Sequence, residues 1–280
     1  MSVCSSPVPR TSRDFVLVAH DGEQAVARLT GTWLAADLFQ ARRIDYEEGA
    51  DASAALAAFA AAVASTLSPG HGEVLVWEKP DQASWRAALE GRGFQVLRRK
   101  AFVERDLTAE LPPAPGGLSL HSLADAGESA FVKRMYEASE GDPFEERKGR
   151  ERDLSKEWRE LVDGAEERFD PARWYLVDDE QGPVGVLLPQ AVDDRTGSLF
   201  YVGVLPARRG AGLGRGLHAR GLALLSEAGL ARYVGSTDFR NAPMRRVFFR
   251  NGCREIGIQA FLALSPDPAP PKRDRSFQNG

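Results

Sequence analysis

The segment from Leu199 to Arg220 constrains the fold of this 280-residue chain more than any other. An apolar stretch typical of a strand ends at Pro206, a loop rich in arginine and glycine follows, and a stretch with helical periodicity comes next. The pattern predicts a strand, a tight loop and a helix N-terminus, in that order. Such a turn exposes unpaired backbone N–H groups at the positive end of a helix dipole, so it attracts anions, phosphate above all.

The composition of the loop fits a phosphate ligand. A β-carbon at the glycines would keep phosphate oxygens away from the amides, and part of the loop is expected to adopt positive φ. Arg208, Arg209 and Arg215 add full charges beside the partial ones. No Lys-Ser or Lys-Thr pair follows the glycines, which excludes the P-loop, and the spacing of Gly210 and Gly212 does not match the dinucleotide fingerprint.

The pattern Arg209-x-x-Gly212-x-Gly214 resembles the pyrophosphate-binding motif of the GCN5-related N-acetyltransferases, the acyl-CoA-dependent GNAT family. A second block supports the resemblance, because Asn241 and Phe248, followed by Gly252-Cys253, have the spacing of that family's Asn, aromatic and Gly-Phe positions. The resemblance implies an α+β fold with a mixed sheet, the acyl-CoA N-acyltransferase fold. It also implies acetyl-CoA or CoA as co-substrate and no metal.

The resemblance and the helix N-terminus together predict the cofactor-binding residues. In the family, main-chain groups of the central strand and the motif asparagine contact the pantetheine arm. The predicted set is Val202, Val204, Arg209, Gly210, Ala211, Gly212, Leu213, Gly214, Arg215, Asn241 and Phe248. Arg245 and Arg246 are candidates for the adenosine 3′-phosphate, the alternative being that they are exposed helix charges.

The proton donor departs from the family pattern, because Phe248 occupies the position of the usual tyrosine and has no proton to give. Three alternatives stay open: water supplies the proton to the leaving thiolate, Tyr201 or Tyr233 reaches the sulfur and supplies it, or the domain binds CoA without turnover. A CoA thiol leaves readily near neutral pH, so loss of the donor lowers the rate more than it forbids the reaction.

No general base is evident from the sequence. Glu140 opens a charged segment, 140–153, at the place where the resembled family lines its acceptor pocket, and its carboxylates, with Asp142, Glu145 and Glu146, would suit a cationic amine. The alternative is a solvated loop. Asp193, Asp194 and Asp238 are further candidates, with surface carboxylates as the simpler interpretation. His218 is expected to face solvent, and Cys253 to be a small core residue.

The first half repeats the order of elements of the second in weaker form. When the two halves are aligned on their glycines, Gly93 corresponds to Gly252, Leu89 to Phe248 and Gln82 to Asn241. Residues 50–55 then correspond to the phosphate loop, but they contain neither arginine nor glycine. Asp51 there would repel a pyrophosphate. We interpret this half as a degenerate GNAT-like domain; the alternative is a diverged structural or unrelated α+β module.

Two tandem domains follow from this comparison, an organisation similar to that of the mycothiol synthases, whose second domain is the active one. The proline- and glycine-rich stretch 111–117 is the predicted linker. The scheme is a disordered N-terminus (1–12), a degenerate GNAT-like domain (13–110), the linker (111–117), a catalytic GNAT domain (118–265) and a disordered tail (266–280).

Composition limits the partners. A formal net charge of −4 argues against nonspecific nucleic-acid binding, and two cysteines are too few for a secreted disulfide scaffold. The longest apolar run is too short for a bilayer, so we expect a cytoplasmic protein without membrane contact, as a monomer or homodimer. The predicted function is acetyl transfer from acetyl-CoA to a primary amine of a small molecule, peptide or protein, by direct attack in a ternary complex. The alternative is a catalytically silent CoA sensor or assembly module.

Overall fold

A computed structural model describes residues 2–5, 14–35, 38–67, 72–144, 154–165 and 168–264. The strands are β1 (Ser2–Ser5), β2 (Asp14–Asp21), β3 (Gln24–Ala35), β4 (Leu38–Tyr46), β5 (Glu73–Trp77), β6 (Phe94–Asp106), β7 (Ser119–Ser122), β8 (Tyr175–Asp179), β9 (Gly182–Ala191), β10 (Thr196–Val204), β11 (Arg232–Asp238) and β12 (Arg254–Leu264). The helices are α1 (Ala52–Thr66), α2 (Ala83–Gly91), α3 (Leu123–Ala126), α4 (Glu128–Ser139), α5 (Leu154–Ala165), α6 (Leu213–Glu227) and α7 (Ala242–Arg250).

The chain divides into two compact units. The first comprises Met1–Lys100 together with Gly257–Gly280, and the second comprises Ala101–Ile256. Each unit combines mixed parallel and antiparallel strands with helices, so the α+β class predicted from the sequence is confirmed.

In the first unit the strands follow the order β1, β2, β3, β4, β5, β12, β6. β2, β3 and β4 form an antiparallel meander, and β5 pairs with β4 in parallel and with β12 in antiparallel orientation. Its core includes Leu29, Phe39 and Phe59, which are fully buried. α1 begins at Asp51, whose side chain accepts the N–H of Ala54 at 3.0 Å.

In the second unit the order is β6, β11, β10, β9, β8, β7. β7, β8, β9 and β10 are antiparallel neighbours, and β10 and β11 are parallel, as a strand–helix–strand crossover through α6 requires. Trp174 is fully buried against the rings of Trp158 and Phe169, at centroid distances of 5.8 and 4.9 Å. This aromatic cluster holds α5 near the sheet.

The two units repeat one arrangement. α2 and α7 are each nine residues long, and Gln82 and Asn241 are their N-caps. A glycine with positive φ follows each helix, Gly93 at 90° and Gly252 at 75°. The correspondence inferred from the sequence therefore holds in the structure at the caps and at the glycines.

Several boundaries differ from the predicted scheme. Residues 101–106 belong to the second unit, and residues 257–264 belong to the first because they pair with β5, which no local pattern in the sequence encodes. Ser2–Ser5 form a strand against β2, although 1–12 were expected to be disordered. α3 and α4 are separated at Gly127, whose φ is 79°. The tail 266–280 lies outside the described residues. Whether each half folds as an independent domain stays a prediction.

Candidate cofactor groove and acceptor side

The loop between β10 and α6 has the conformation that the sequence predicts. Gly210 and Gly212 have φ values of 84° and 78°, and α6 begins directly after Gly212. A β-carbon built at either glycine meets no atom of the described residues within 4 Å, so no side chain in that part of the chain covers the two glycines. The N–H groups of residues 210–214 donate to no acceptor in the described part of the chain. Unpaired N–H groups at a helix N-terminus form an anion site.

This loop forms one side of a groove of about 590 Å³. α7 forms the other side. The lining residues are Val202, Val204, Arg208, Arg209, Gly210, Gly212, Leu213, Gly214, Arg215, Asn241, Pro243, Met244, Arg246, Val247 and Arg250. The structure thus brings together nine of the eleven predicted cofactor-binding residues, and Ala211 and Phe248 are the two outside this set.

The charge of the groove is positive, because five arginines and no carboxylate line it among the residues that the structure describes. Arg208 is engaged elsewhere, in an ion pair with Asp179, whose pKa is lowered chiefly by that hydrogen bond. Arg246 and Arg250 have no acidic partner among the described residues. The sequence did not single out Arg250, although its spacing from Arg246 on one helix face was a usable signal.

Arg245 does not join the groove. Its guanidinium lies 4.7 Å from the ring centroid of Phe239 and pairs with Glu255 at 3.0 Å. The position of Arg245 therefore does not support the expected contact with a 3′-phosphate. Arg246 lines the groove and remains the candidate for that contact.

β10 and β11 separate soon after they begin. Their parallel register is limited to Thr196↔Arg232 and Gly197↔Tyr233. On its other edge, β10 shifts register against β9 between Leu199 and Tyr201, opposite Pro189. Proline has no N–H to donate, which favours an irregularity at that point. The bulge and the early separation leave main-chain groups of β10 open beside Val202 and Val204.

Asn241 is the N-cap of α7, and its side-chain oxygen accepts the N–H of Met244 at 3.1 Å. Asn241 lines the groove, and its amide nitrogen has no hydrogen-bond partner among the described residues. Phe248 differs from the expectation: it is buried in the core, with its ring 5.2 Å from that of His218. A direct contact of Phe248 with cofactor stays a prediction that its position does not favour.

The two candidate tyrosines lie in different environments. Tyr233 is buried, and its hydroxyl is 3.2 Å from Nε2 of His218; burial raises its pKa well above the ordinary value. Tyr201 is half-buried on the face of β10 that packs on α4, where a β-carbon at Gly203 would lie 2.5 Å from its ring and 2.9 Å from Ala138 Cβ. Tyr201 is therefore the more accessible of the two.

Glu140 ends α4 on that same side of β10. Arg209 connects this end of α4 to the groove, because it donates to the carbonyl of Ala138 at 2.9 Å and to that of Val204 at 3.0 Å. A β-carbon at Gly141 would lie 3.8 Å from Nη1 of Arg209. The segment that carries Glu140 is thus fixed beside the loop. Glu145 and Glu146 lie outside the described residues.

The remaining carboxylates do not converge on the groove. Asp193 and Asp194 precede β10, at the end of the strand away from the loop; Asp193 accepts the N–H groups of Arg195 and Thr196, which lowers its pKa. Asp194 pairs with Arg168 at 2.8 Å. Asp238 pairs with Arg240 at 3.0 Å. Within the described ranges there is no cluster of three or more His, Cys, Asp or Glu side chains able to hold a metal.

His218 was expected to face solvent, and this is wrong. It is fully buried on α6, because α7 and β11 cover the side of the helix that local periodicity leaves open. Burial, and secondarily the charge of Arg105, lowers the pKa of its imidazole to about 3. His218 is therefore neutral at physiological pH.

The buried imidazole makes stability depend on pH. With a folded pKa near 3 and an ordinary value of 6.5, the unfolded chain binds the proton more readily, so stability is complete above pH 6.5 and falls as pH decreases toward 3. We expect up to about 1.4 kcal/mol per pH unit from this residue. Urea unfolding should show the stability difference between wild type and His218→Asn shrinking from pH 7 to pH 4. Parallel pH profiles would contradict the assignment.

The counterpart site in the first unit is closed. Asp51 places its own carboxylate on the N-terminus of α1, where the second unit leaves its amides bare. Gln82 accepts the N–H of Trp77 at 3.0 Å, which occupies a main-chain donor of β5. These two contacts are the physical basis for the interpretation of the first unit as unable to bind a nucleotide.

Comparison with known proteins shows similarity to acetyltransferases. A model of the acetyltransferase (GNAT) family matches residues 132–252. The mycothiol acetyltransferase of Nocardia farcinica is 29% identical over 214 residues, 73% of this chain and 69% of that protein. The one of Thermobispora bispora is 28% identical over 196 residues, 66% of this chain and 64% of that protein. The matched region spans 64% to 69% of the length of these two relatives.

Two solved structures share the fold. A GCN5-related N-acetyltransferase from Sphaerobacter thermophilus superposes with a TM-score of 0.61 at 17% identity, covering 91% of this chain and 82% of its own. A tandem GNAT protein from the clavulanic acid biosynthesis pathway gives 0.53 at 14% identity, covering 93% and 86%. At such identities the likeness concerns the fold. In the described part of the chain, no helix has the length and apolarity needed to cross a bilayer.

Proposed function

We propose that this chain transfers an acetyl group from acetyl-CoA to a primary amine, because a model of the acetyltransferase (GNAT) family matches residues 132–252. The observation that carries the proposal is the open 210–214 turn, in a groove that the described residues line with five arginines and no carboxylate. The diphosphate of CoA matches this chemistry, since bare amides and guanidinium groups both bind phosphate oxygens.

The rest of the groove suits the pantetheine arm. Val202, Val204, Leu213, Met244 and Val247 supply apolar surface next to the arginines. The open main-chain groups of β10 and the free amide hydrogens of Asn241 are of the type that binds the two amides of that arm. A backbone N–H of the separated strand is the proposed donor to the thioester carbonyl, where charge develops during attack.

The reaction proposed is direct attack in a ternary complex. The amine nitrogen forms a bond to the acetyl carbon, the carbon–sulfur bond breaks, and the thiolate of CoA takes up a proton while the amine loses one. Tyr201 is the better candidate for the proton donor, because the hydroxyl of Tyr233 is buried against His218. Glu140 is the proposed contact for a cationic amine, because Arg209 fixes the segment that carries it.

The relatives named mycothiol acetyltransferases suggest an acceptor class. We propose a small-molecule amine, with amines related to mycothiol as the first to test. The competing function is a silent CoA-binding module, favoured by the absence of a hydroxyl at Phe248.

Turnover separates the two functions. Purified protein is incubated with acetyl-CoA and a panel of amines, and release of free thiol is followed together with the mass of the acetylated product. The proposal predicts amine-dependent thiol release that disappears without the acceptor. Tight CoA binding with no thiol release across the panel would support the silent module instead.

The adenosine end of the ligand gives a separate prediction. Arg246→Ala should weaken CoA binding at least about fivefold and leave dephospho-CoA binding nearly unchanged, because the exposed guanidinium is proposed to pair with the 3′-phosphate. Arg245→Ala is the matched control on the same helix, since Glu255 and Phe239 hold its guanidinium. Titration calorimetry with both nucleotides measures this. Equal losses for the two nucleotides would place the 3′-phosphate elsewhere.

A further inference from the structure

A chain of buried polar side chains runs from the groove into the core of the second unit. Asn251, 1% exposed, donates from Nδ2 to the carbonyl of Arg215 at 3.0 Å and lies 2.9 Å from Nδ1 of His218. Its Oδ1 lies 3.4 Å from Nε of Arg215. Nε2 of His218 is 3.2 Å from the hydroxyl of Tyr233. This series of hydrogen bonds therefore begins at Arg215, which lines the groove.

The donors and acceptors fix the tautomer of the imidazole. Nδ2 of Asn251 has two hydrogens; one goes to the carbonyl of Arg215, and the other points to Nδ1 of His218. Nδ1 must accept, so the ring proton is on Nε2 and is donated to Tyr233. The imidazole thus orients the amide of Asn251, and that amide holds both the main chain and the side chain of Arg215.

The chain also joins the two walls of the groove. Arg215 is in the first turn of α6, whereas Asn251 is the C-cap of α7. Burying three polar side chains is costly unless each is hydrogen-bonded, and apolar residues would pack the two helices without that requirement. The buried polar side chains fix the orientation of the Asn251 side-chain amide, and through that amide the orientation of the Arg215 guanidinium.

We propose that His218 is a positioning residue for the cofactor groove, which acts through Asn251 to hold the guanidinium of Arg215 toward the bound diphosphate. This inference rests on the proposed function, because it takes CoA as the ligand. His218 itself contacts neither the ligand nor the reacting atoms.

Two substitutions distinguish the contact that Nδ1 of His218 makes with Asn251 from the contact that Nε2 makes with Tyr233. His218→Asn places an oxygen near the position of Nδ1 and so keeps the acceptor for Asn251, while losing the contact with Tyr233. His218→Gln keeps a donor near the position of Nε2 and loses the acceptor. Both remove one buried hydrogen bond and part of the ring, so a merely structural role predicts similar effects on CoA binding.

The test measures the dissociation constant of CoA by calorimetry for wild type and both variants, with thermal melting to confirm folding. We expect His218→Gln to weaken CoA at least about fivefold and His218→Asn less than about twofold, with KM rather than kcat changed in turnover. Equal losses, or the larger loss in His218→Asn, would overturn the proposal. Absence of CoA binding by wild type would instead refute the proposed function.

A double-mutant cycle gives the second readout. If His218 acts through Arg215, then His218→Gln should cause no further loss of affinity in an Arg215→Met background. An additive loss would overturn the proposal. Should His218→Gln fail to fold, Asn251→Leu takes its place in the cycle, because it removes the amide through which His218 is proposed to act on Arg215.

Discussion

Gly212→Glu is expected to lower the affinity for CoA at least about 100-fold. Gly212 is the N-cap of α6 with φ of 78°, and nothing lies within 4 Å of a β-carbon built there, so the new side chain would enter the space proposed for the diphosphate. Two unit charges 4 Å apart repel by about 4 kcal/mol near a protein surface, more than enough for this loss. Titration calorimetry and the KM for acetyl-CoA both measure it.

Gly229→Glu is the matched control for this substitution. Gly229 follows the other end of the same helix, has φ of 82° and also has nothing within 4 Å. It carries the same backbone strain and the same added charge but does not line the groove. We expect it to destabilise the protein to a similar extent and to leave CoA affinity unchanged. Equal loss of affinity in both variants would mean that folding, rather than the turn, was affected.

Arg209→Met is expected to lower kcat/KM for acetyl-CoA about 10- to 100-fold. Its guanidinium lines the groove and also donates to the carbonyls of Val204 and Ala138. Hydrogen bonds from a charged group contribute about 1.5–3 kcal/mol, and Arg209 both lines the groove proposed for CoA and donates to the end of α4. Steady-state kinetics should show KM for acetyl-CoA rising and kcat falling together.

Arg209→Lys distinguishes charge from geometry at this position. Lysine keeps the positive charge but lacks the planar fork that reaches both carbonyls. We expect it to recover binding more than turnover. Arg220→Met on α6, where the arginine pairs with Glu227 away from the groove, is the control and should leave both constants unchanged. Wild-type kinetics in Arg209→Met would contradict the role assigned to this arginine.

The sequence predicted those parts of the fold that local chemistry determines. The strand, glycine loop and helix around 199–220 are present, and α7 begins at Asn241 as its capping asparagine requires. A glycine with positive φ stands at each of the two aligned positions, Gly93 and Gly252. Each of these elements has its signal within one short segment.

What the sequence could not predict depends on distant pairing. The position of β12 beside β5 follows from hydrogen bonds between residues far apart in the chain, such as Gln259↔Trp77. The expectation that His218 faces solvent was wrong for a related reason. The leucines of α6 mark the face toward the sheet, but Phe248 and Tyr233, which cover His218, belong to α7 and β11. The roles of Arg209 and Asn251 likewise appear only when their partners are in place.

Calorimetric titration of the wild-type protein with CoA, alongside pantetheine, tests the central claim most directly. Pantetheine has the same thiol arm but no diphosphate, so it cannot use the 210–214 amides or the arginines. The account predicts CoA binding with a dissociation constant between about 1 μM and 1 mM, the ordinary range for enzyme substrates, and no measurable heat from pantetheine at the same concentration. No heat from CoA at millimolar concentration, or equal binding of both ligands, would contradict it.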